Sequence, residues 1–229
     1  MKEHPILFSA PMVRAILAGT KTQTRRVVKP QPHHGQVGRM ANLGGTDWAM
    51  DDGDLSGLWR CPYGQPGDRL WVRETWAAVH FSFDHETGYC DDLHGSHDIP
   101  PAKTPYWTPV YAADDYHEKH IDDRGFPWRP SIHMPRWASR ITLEIVSVRV
   151  ERLNEISEDD AMAEGVETTM RAVSPSQTVE VFKDYFAPGA HHQRDARGSF
   201  SSLWESINGA GSWDANPWVW VVEFKVVSQ

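Results

Sequence analysis

The chain has 229 residues, enough for one sizeable core or two small ones. Its 23 basic residues face 31 acidic ones, a net charge of −8 that excludes tight, sequence-independent binding of long nucleic acid by overall charge. A phosphate-bearing ligand must therefore meet a local basic patch. Two cysteines, Cys61 and Cys90, are too few to staple a domain of this size, and no secretory segment opens the chain. The expectation is reduced thiols in a cytoplasmic protein. No apolar run approaches the roughly 20 residues that span a bilayer, so no membrane partner is expected. Eleven tryptophans serve either a core or the stacking of bases.

In chain order, Pro5–Phe8 reads as a short strand and is followed by a helix. Ser9 is its N-cap, Pro11 sits in the first turn, and Met12, Val13, Ile16 and Leu17 form its apolar stripe. Gly19 falls where a helix C-terminus calls for positive φ. The segment Thr20–Lys29 becomes β-leaning towards its end and stops at Pro30. Residues 30–66, rich in Gly, Pro, His and Asp, read as a loop insertion. Gln65–Asp68 is a turn and Arg69–Trp76 an alternating strand. A second irregular insertion covers 78–127, with one strand near Trp107–Ala113. Thr142–Arg152 is the clearest strand; its apolar phase slips after Ile145, as at a β-bulge. Ser157 caps a short helix with Asp160 at the capping-box position, and Gly165 ends it. Residues 174–198 read as a loop, Phe200–Ile207 as a helix, and Trp218–Val227 as a closing strand apolar on both faces, hence central. Strands joined by insertions, with two or three short helices and no repeat, define a single α+β domain rather than a βαβ fold.

Chemistry concentrates in Gly19-Thr20-Lys21-Thr22-Gln23-Thr24-Arg25-Arg26. Cations follow a helix end without an acid nearby, and hydroxyls are interleaved among them. A lysine depressed by burial or by cationic neighbours such as Arg25 and Arg26 can act as a base towards a hydroxyl or a water. In a regular strand Lys21 and Thr24 point to opposite faces, so they meet only if the chain turns or bulges between them. The same segment also reads as a solvated basic turn. Glu164 is the second candidate. In the last turn of its helix the macrodipole disfavours a carboxylate by about 0.3–1 kcal/mol and pushes its pKa upward, the direction a general acid/base needs. A plain solvent-exposed glutamate is the other reading.

These segments carry a resemblance. Gly19-x-Lys21-Thr22-x-Thr24-x-Arg26, Pro66-Gly67-Asp68-Arg69-Leu70-Trp71-Val72, Leu143–Gly165 and Val219–Lys225 together resemble the ASCH family, particularly its longer members from bacteria and their phages. The resemblance covers about half of the chain, four segments in the right order. It implies a PUA-like mixed β-barrel with short flanking helices and a cleft suited to RNA or a modified nucleoside. Small members of that family remove the acyl group of N4-acetylcytidine with a Lys, a Thr and a Glu. Carried over by motif, these fall at Lys21, Thr24 and Glu164. The two long insertions depart from the small enzymes.

Other features add candidates. Arg129–Arg140 is basic and aromatic, and Trp137 offers a stacking wall with Arg136 or Arg140 on a phosphate; a core role for Trp137 is the alternative. Trp213, in a Gly-rich loop, is the candidate cleft aromatic. His80, His85, Cys90, His94, His97, His117, His120 and the pair His191-His192 lack any standard zinc spacing and read as polar loop, so neither metal nor cofactor is expected. The leading expectation is hydrolysis of an acylated nucleobase: Lys21 activates Thr24 or a water, Glu164 shuttles the proton, and N–H groups of the Gly19–Lys21 turn hold the oxyanion, with Thr20, Arg25 and Arg26 binding substrate. The rival is a binding module for RNA or a modified base. A third, RNA cleavage, calls for a histidine such as His133 in the cleft. The sequence does not set the oligomeric state.

Overall fold

The computed structural model describes residues 1–32, 37–39, 47–50, 59–80, 102–104, 107–114, 126–174, 176–186 and 192–228. Its first half runs β1 (Glu3–Leu7), α1 (Ala10–Leu17), β2 (Gln23–Val27), β3 (Val37–Arg39), β4 (Asp47–Met50), β5 (Trp59–Arg60), β6 (Arg69–Arg73), β7 (Trp76–His80) and β8 (Trp107–Tyr111). The second half runs β9 (Thr142–Arg152), α2 (Glu158–Ala163), β10 (Thr168–Ser174), β11 (Gln177–Lys183), β12 (His192–Gln193), α3 (Ala196–Asn208) and β13 (Trp218–Ser228). This is an α+β architecture dominated by strands. Among the described residues its sheets stay open and do not close into a barrel. No helix there is long and apolar enough to cross a membrane.

The chain packs as two compact units, each assembled from separated segments, so no linker composition marks their boundary. The first comprises Met1–Leu17, Asp68–Glu144 and Val226–Gln229. In it β1 lies parallel to β6, with Pro5 opposite Trp71, and β6 lies antiparallel to the start of β9. Helix α1 forms because Met12, Val13 and Ile16 recur on one face, and all three are buried. From Trp76 to Val79, β7 is buried on both faces, its successive side chains pointing to opposite sides. Trp76, Ala78 and Tyr111 pack with Met134 and Ala138, while Ala77, Val79 and Val110 pack with Phe126. Arg140 clamps this unit. Its guanidinium forks onto Glu74 at 3.0 and 3.1 Å, reaches Asp114 at 3.1 Å and lies 3.9 Å from the centre of the Tyr111 ring.

The second unit comprises Ala18–Gly67 and Ile145–Lys225. Here β13 lies between β9 and β2. Its residues Trp218 to Val222 are buried on both faces, as expected of a central strand. In β9, burial changes phase between Ile145 and Val148, and Val146 is exposed. Residues 30–66 were expected to be loop, yet they contain an antiparallel sheet of β3, β4 and β5. Strands of two to four residues are too short to leave a period in the sequence. Within 174–198, likewise expected to be loop, β11 pairs with β10 as a hairpin and β12 adds a third strand. Helix α2 begins where Ser157 Oγ accepts the Asp160 N–H at 3.1 Å, and Gly165 at φ 79° ends it. Helix α3 is capped in the same way, by Asp195 Oδ1 on the Gly198 N–H at 2.7 Å.

Candidate functional site

Helix α1 is followed by Gly19 at φ 75°, a conformation that L side chains rarely adopt. Beyond it the chain runs extended. Thr22 N–H bonds the Ala163 carbonyl at 2.9 Å, Lys21 bridges Glu164, and β2 pairs with β13 from Gln23 onward. The segment is thus held between β13 and the C-terminal end of α2. Cross-strand partners share a face, so the register sorts the side chains. Arg25 is opposite Val221, whereas Thr24 is opposite Val222 and Arg26 opposite Trp220. Lys21, Gln23 and Arg25 therefore point to one side of β2, and Thr24 and Arg26 to the other.

On the first side lies an ion cluster. Lys21 Nζ donates to Glu164 Oε2 at 2.9 Å and to the Glu164 carbonyl at 2.8 Å. Arg25 donates through Nη1 to Glu164 Oε1 at 3.2 Å, and through Nη2 to Glu151 Oε2 and Asp160 Oδ2, both at 3.1 Å. Gln23 Nε2 holds the Asp160 carbonyl at 2.8 Å. Arg149, on β9, adds contacts to Asp160 at 3.1 Å and to Glu151 and Glu223. Three cations thus meet four carboxylates. Lys21, Arg25 and Glu164 are each 3 % exposed. Behind Arg25 stands an aromatic wall: its guanidinium carbon is 5.9 Å from the Phe200 ring centre, and Trp213 packs edge-on against Phe200 at 6.2 Å.

Burial sets the charges here. It pushes the Lys21 ammonium below its ordinary value, and the nearby Arg26 and Arg25 charges push the same way against the pull of Glu164. Burial also works to raise Asp160, but Arg25 and Arg149 outweigh it and hold that carboxyl below the usual range. A lysine with a depressed pKa, fixed 2.9 Å from a carboxylate, can take a proton and pass it on.

The structure brings Lys21 and Glu164 together and sets Thr24 on the opposite side of β2. Glu164 does not face solvent; it caps α2, and two cations offset the unfavourable helix end. Arg25, expected to bind substrate, is turned into the carboxylates, and Arg26 is half-buried on the other side. Thr20 is exposed. Arg136 and Trp137 belong to the first unit, where Arg136 pairs with Glu3 at 3.0 Å and Trp137 packs edge-on against Trp76. His133, there too, is exposed. His85, Cys90, His94, His97, His117, His120, His191 and the side chain of His80 lie outside the described residues. Gln23, Arg149, Glu151 and Glu223 were not singled out from sequence; the alternating charges Arg149 and Glu151 on β9 were the available signal. No family model, no curated protein and no solved structure matches this chain.

Proposed function

We propose that the chain is an ASCH-type protein with a PUA-like fold that hydrolyses the amide of an N-acylated nucleobase, of which N4-acetylcytidine is the model substrate. The observation that carries this is the buried Lys21–Glu164 pair, with the lysine held below its ordinary pKa. Both residues stand where the family motif puts a catalytic lysine and glutamate. Because Thr24 lies on the other side of β2, the nucleophile in this scheme is water. Neutral Lys21 accepts a proton from the attacking water, whose oxygen bonds to the acyl carbon. The C–N bond then breaks, and the proton passes through Glu164 to the departing N4. Cytidine and acetic acid, which releases its remaining proton to solvent as acetate forms, account for all atoms of N4-acetylcytidine and water.

The position of Thr24 favours one second reading, a module that recognises a modified base or RNA without cleaving it. One experiment separates the two: incubation with N4-acetylcytidine, chromatography for cytidine, and calorimetric titration of the same compound, with Lys21→Ala as control. Cytidine formed by the wild type and lost in the variant supports hydrolysis. Binding without cytidine supports recognition alone, and neither signal removes both readings.

A further inference from the structure

All three inward side chains of the segment from Lys21 to Arg25 end on α2 or its C-cap. Lys21 reaches Glu164, Gln23 the Asp160 carbonyl, and Arg25 the carboxylates of both. The Arg25 guanidinium is divided among its partners. Nη2 is fixed between Glu151 on β9 and Asp160 on α2, each at 3.1 Å, and the rigid plane then sets the direction of Nη1. Nη1 takes Glu164 Oε1 at 3.2 Å, which leaves Oε2 directed at Lys21 Nζ, 2.9 Å away. We propose that Arg25 is a positioning residue: it holds Glu164 by one oxygen and so presents the other to Lys21.

This rests on Lys21 and Glu164 being the working pair. Arg25 acts through Glu164 because its side chain is fully shielded from solvent and Phe200 lies over it. A lysine at this position keeps the charge but has no planar fork with which to hold three carboxylates, one on β9 and two on α2 and its C-cap. Arg25→Lys therefore isolates orientation from charge.

The test uses the full chain and two readouts. The first follows Lys21 Nζ through a pH titration by nitrogen-edited NMR, which needs no turnover. In folded Arg25→Lys the ammonium loses a fixed counter-charge, so its midpoint falls by about one pH unit. The second is the pH dependence of cytidine release, whose low-pH limb moves in the same direction. Glu151→Asp keeps the charge but shortens one of the two anchors of Nη2 and gives a smaller shift of the same sign, which keeps the test open should Arg25→Lys fail to fold. A Lys21 midpoint unchanged in the folded variants overturns the positioning role. A midpoint that moves in a protein whose wild type releases no cytidine supports the positioning and overturns the hydrolysis.

Discussion

Deleting the charge at position 21 and deleting it at position 164 should have very different costs, although the two groups form one ion pair. Lys21 Nζ and Glu164 Oε2 are 2.9 Å apart, about 6 kcal/mol of gross attraction at an effective dielectric of about 20. The contact of Arg25 with Glu164 at 3.2 Å adds about 5 kcal/mol on the same scale. Against these stands a desolvation cost of several kcal/mol for each buried ion. The lowered pKa of Lys21 shows that for this ammonium the cost is not fully offset. In Lys21→Met the ammonium and its desolvation disappear together, and Glu164 keeps Arg25; the expected loss is about 0–1 kcal/mol. In Glu164→Gln, Lys21 loses the carboxylate it meets while remaining buried, and the expected loss is about 3–5 kcal/mol. Urea unfolding at neutral pH reads this directly. With a slope of about 2 kcal/mol per molar, Glu164→Gln lowers the midpoint by about 1.5–2.5 M and Lys21→Met by about 0.5 M or less. The double variant should recover most of the Glu164→Gln loss, because it removes the buried ammonium whose carboxylate is gone. Equal losses in the two single variants would refute the reasoning.

Three further expectations follow from the same physics. In the proposed hydrolysis Lys21 is a base only when neutral, and burial holds its pKa below 10.5, so turnover should rise with pH along a limb whose midpoint lies below 10.5. Folding stability should rise with pH over that same interval, since the unfolded lysine still binds its proton there; a limb at or above 10.5 would contradict this. In the first unit, burial raises Glu74 despite the Arg140 fork, so Arg140→Met should cost about 3–5 kcal/mol at neutral pH. A raised carboxyl contributes stability below 4.5 and loses it as pH rises through its folded value, so the deficit in urea unfolding should shrink towards pH 4.5. Ser157→Ala removes the cap on α2 and should cost about 1 kcal/mol in thermal or urea unfolding.

Local signals made parts of the molecule legible. The stripe of Met12, Val13 and Ile16, the Ser157 cap and the two-faced Trp218–Val222 run each act within a few residues, so the sequence displays them directly. The same holds for the basic segment after Gly19, whose hydroxyls and cations are contiguous. The direction of Arg25 was not legible. A one-residue change of register moves every side chain of a strand to the other face, and only the pairing of β2 with β13 fixes which face each takes. The acids that receive Arg25 lie 126, 135 and 139 residues further along the chain. Nothing local announces them. The β10–β11 hairpin was missed for another reason: the described side chains of β10 are exposed, so no apolar face marks that strand, and the alternation of Val179 and Val181 in β11 is too short to stand out.

The central claim, that Lys21 and Glu164 rather than Thr24 carry amide hydrolysis, is tested most directly by cytidine release from N4-acetylcytidine in three proteins. These are the wild type, Lys21→Met and Thr24→Val. The expected result is release by the wild type, a loss of about 10²–10⁴-fold in Lys21→Met and a rate within about tenfold of wild type in Thr24→Val. A Thr24→Val loss as large as that of Lys21→Met, or no release by the wild type, would contradict it.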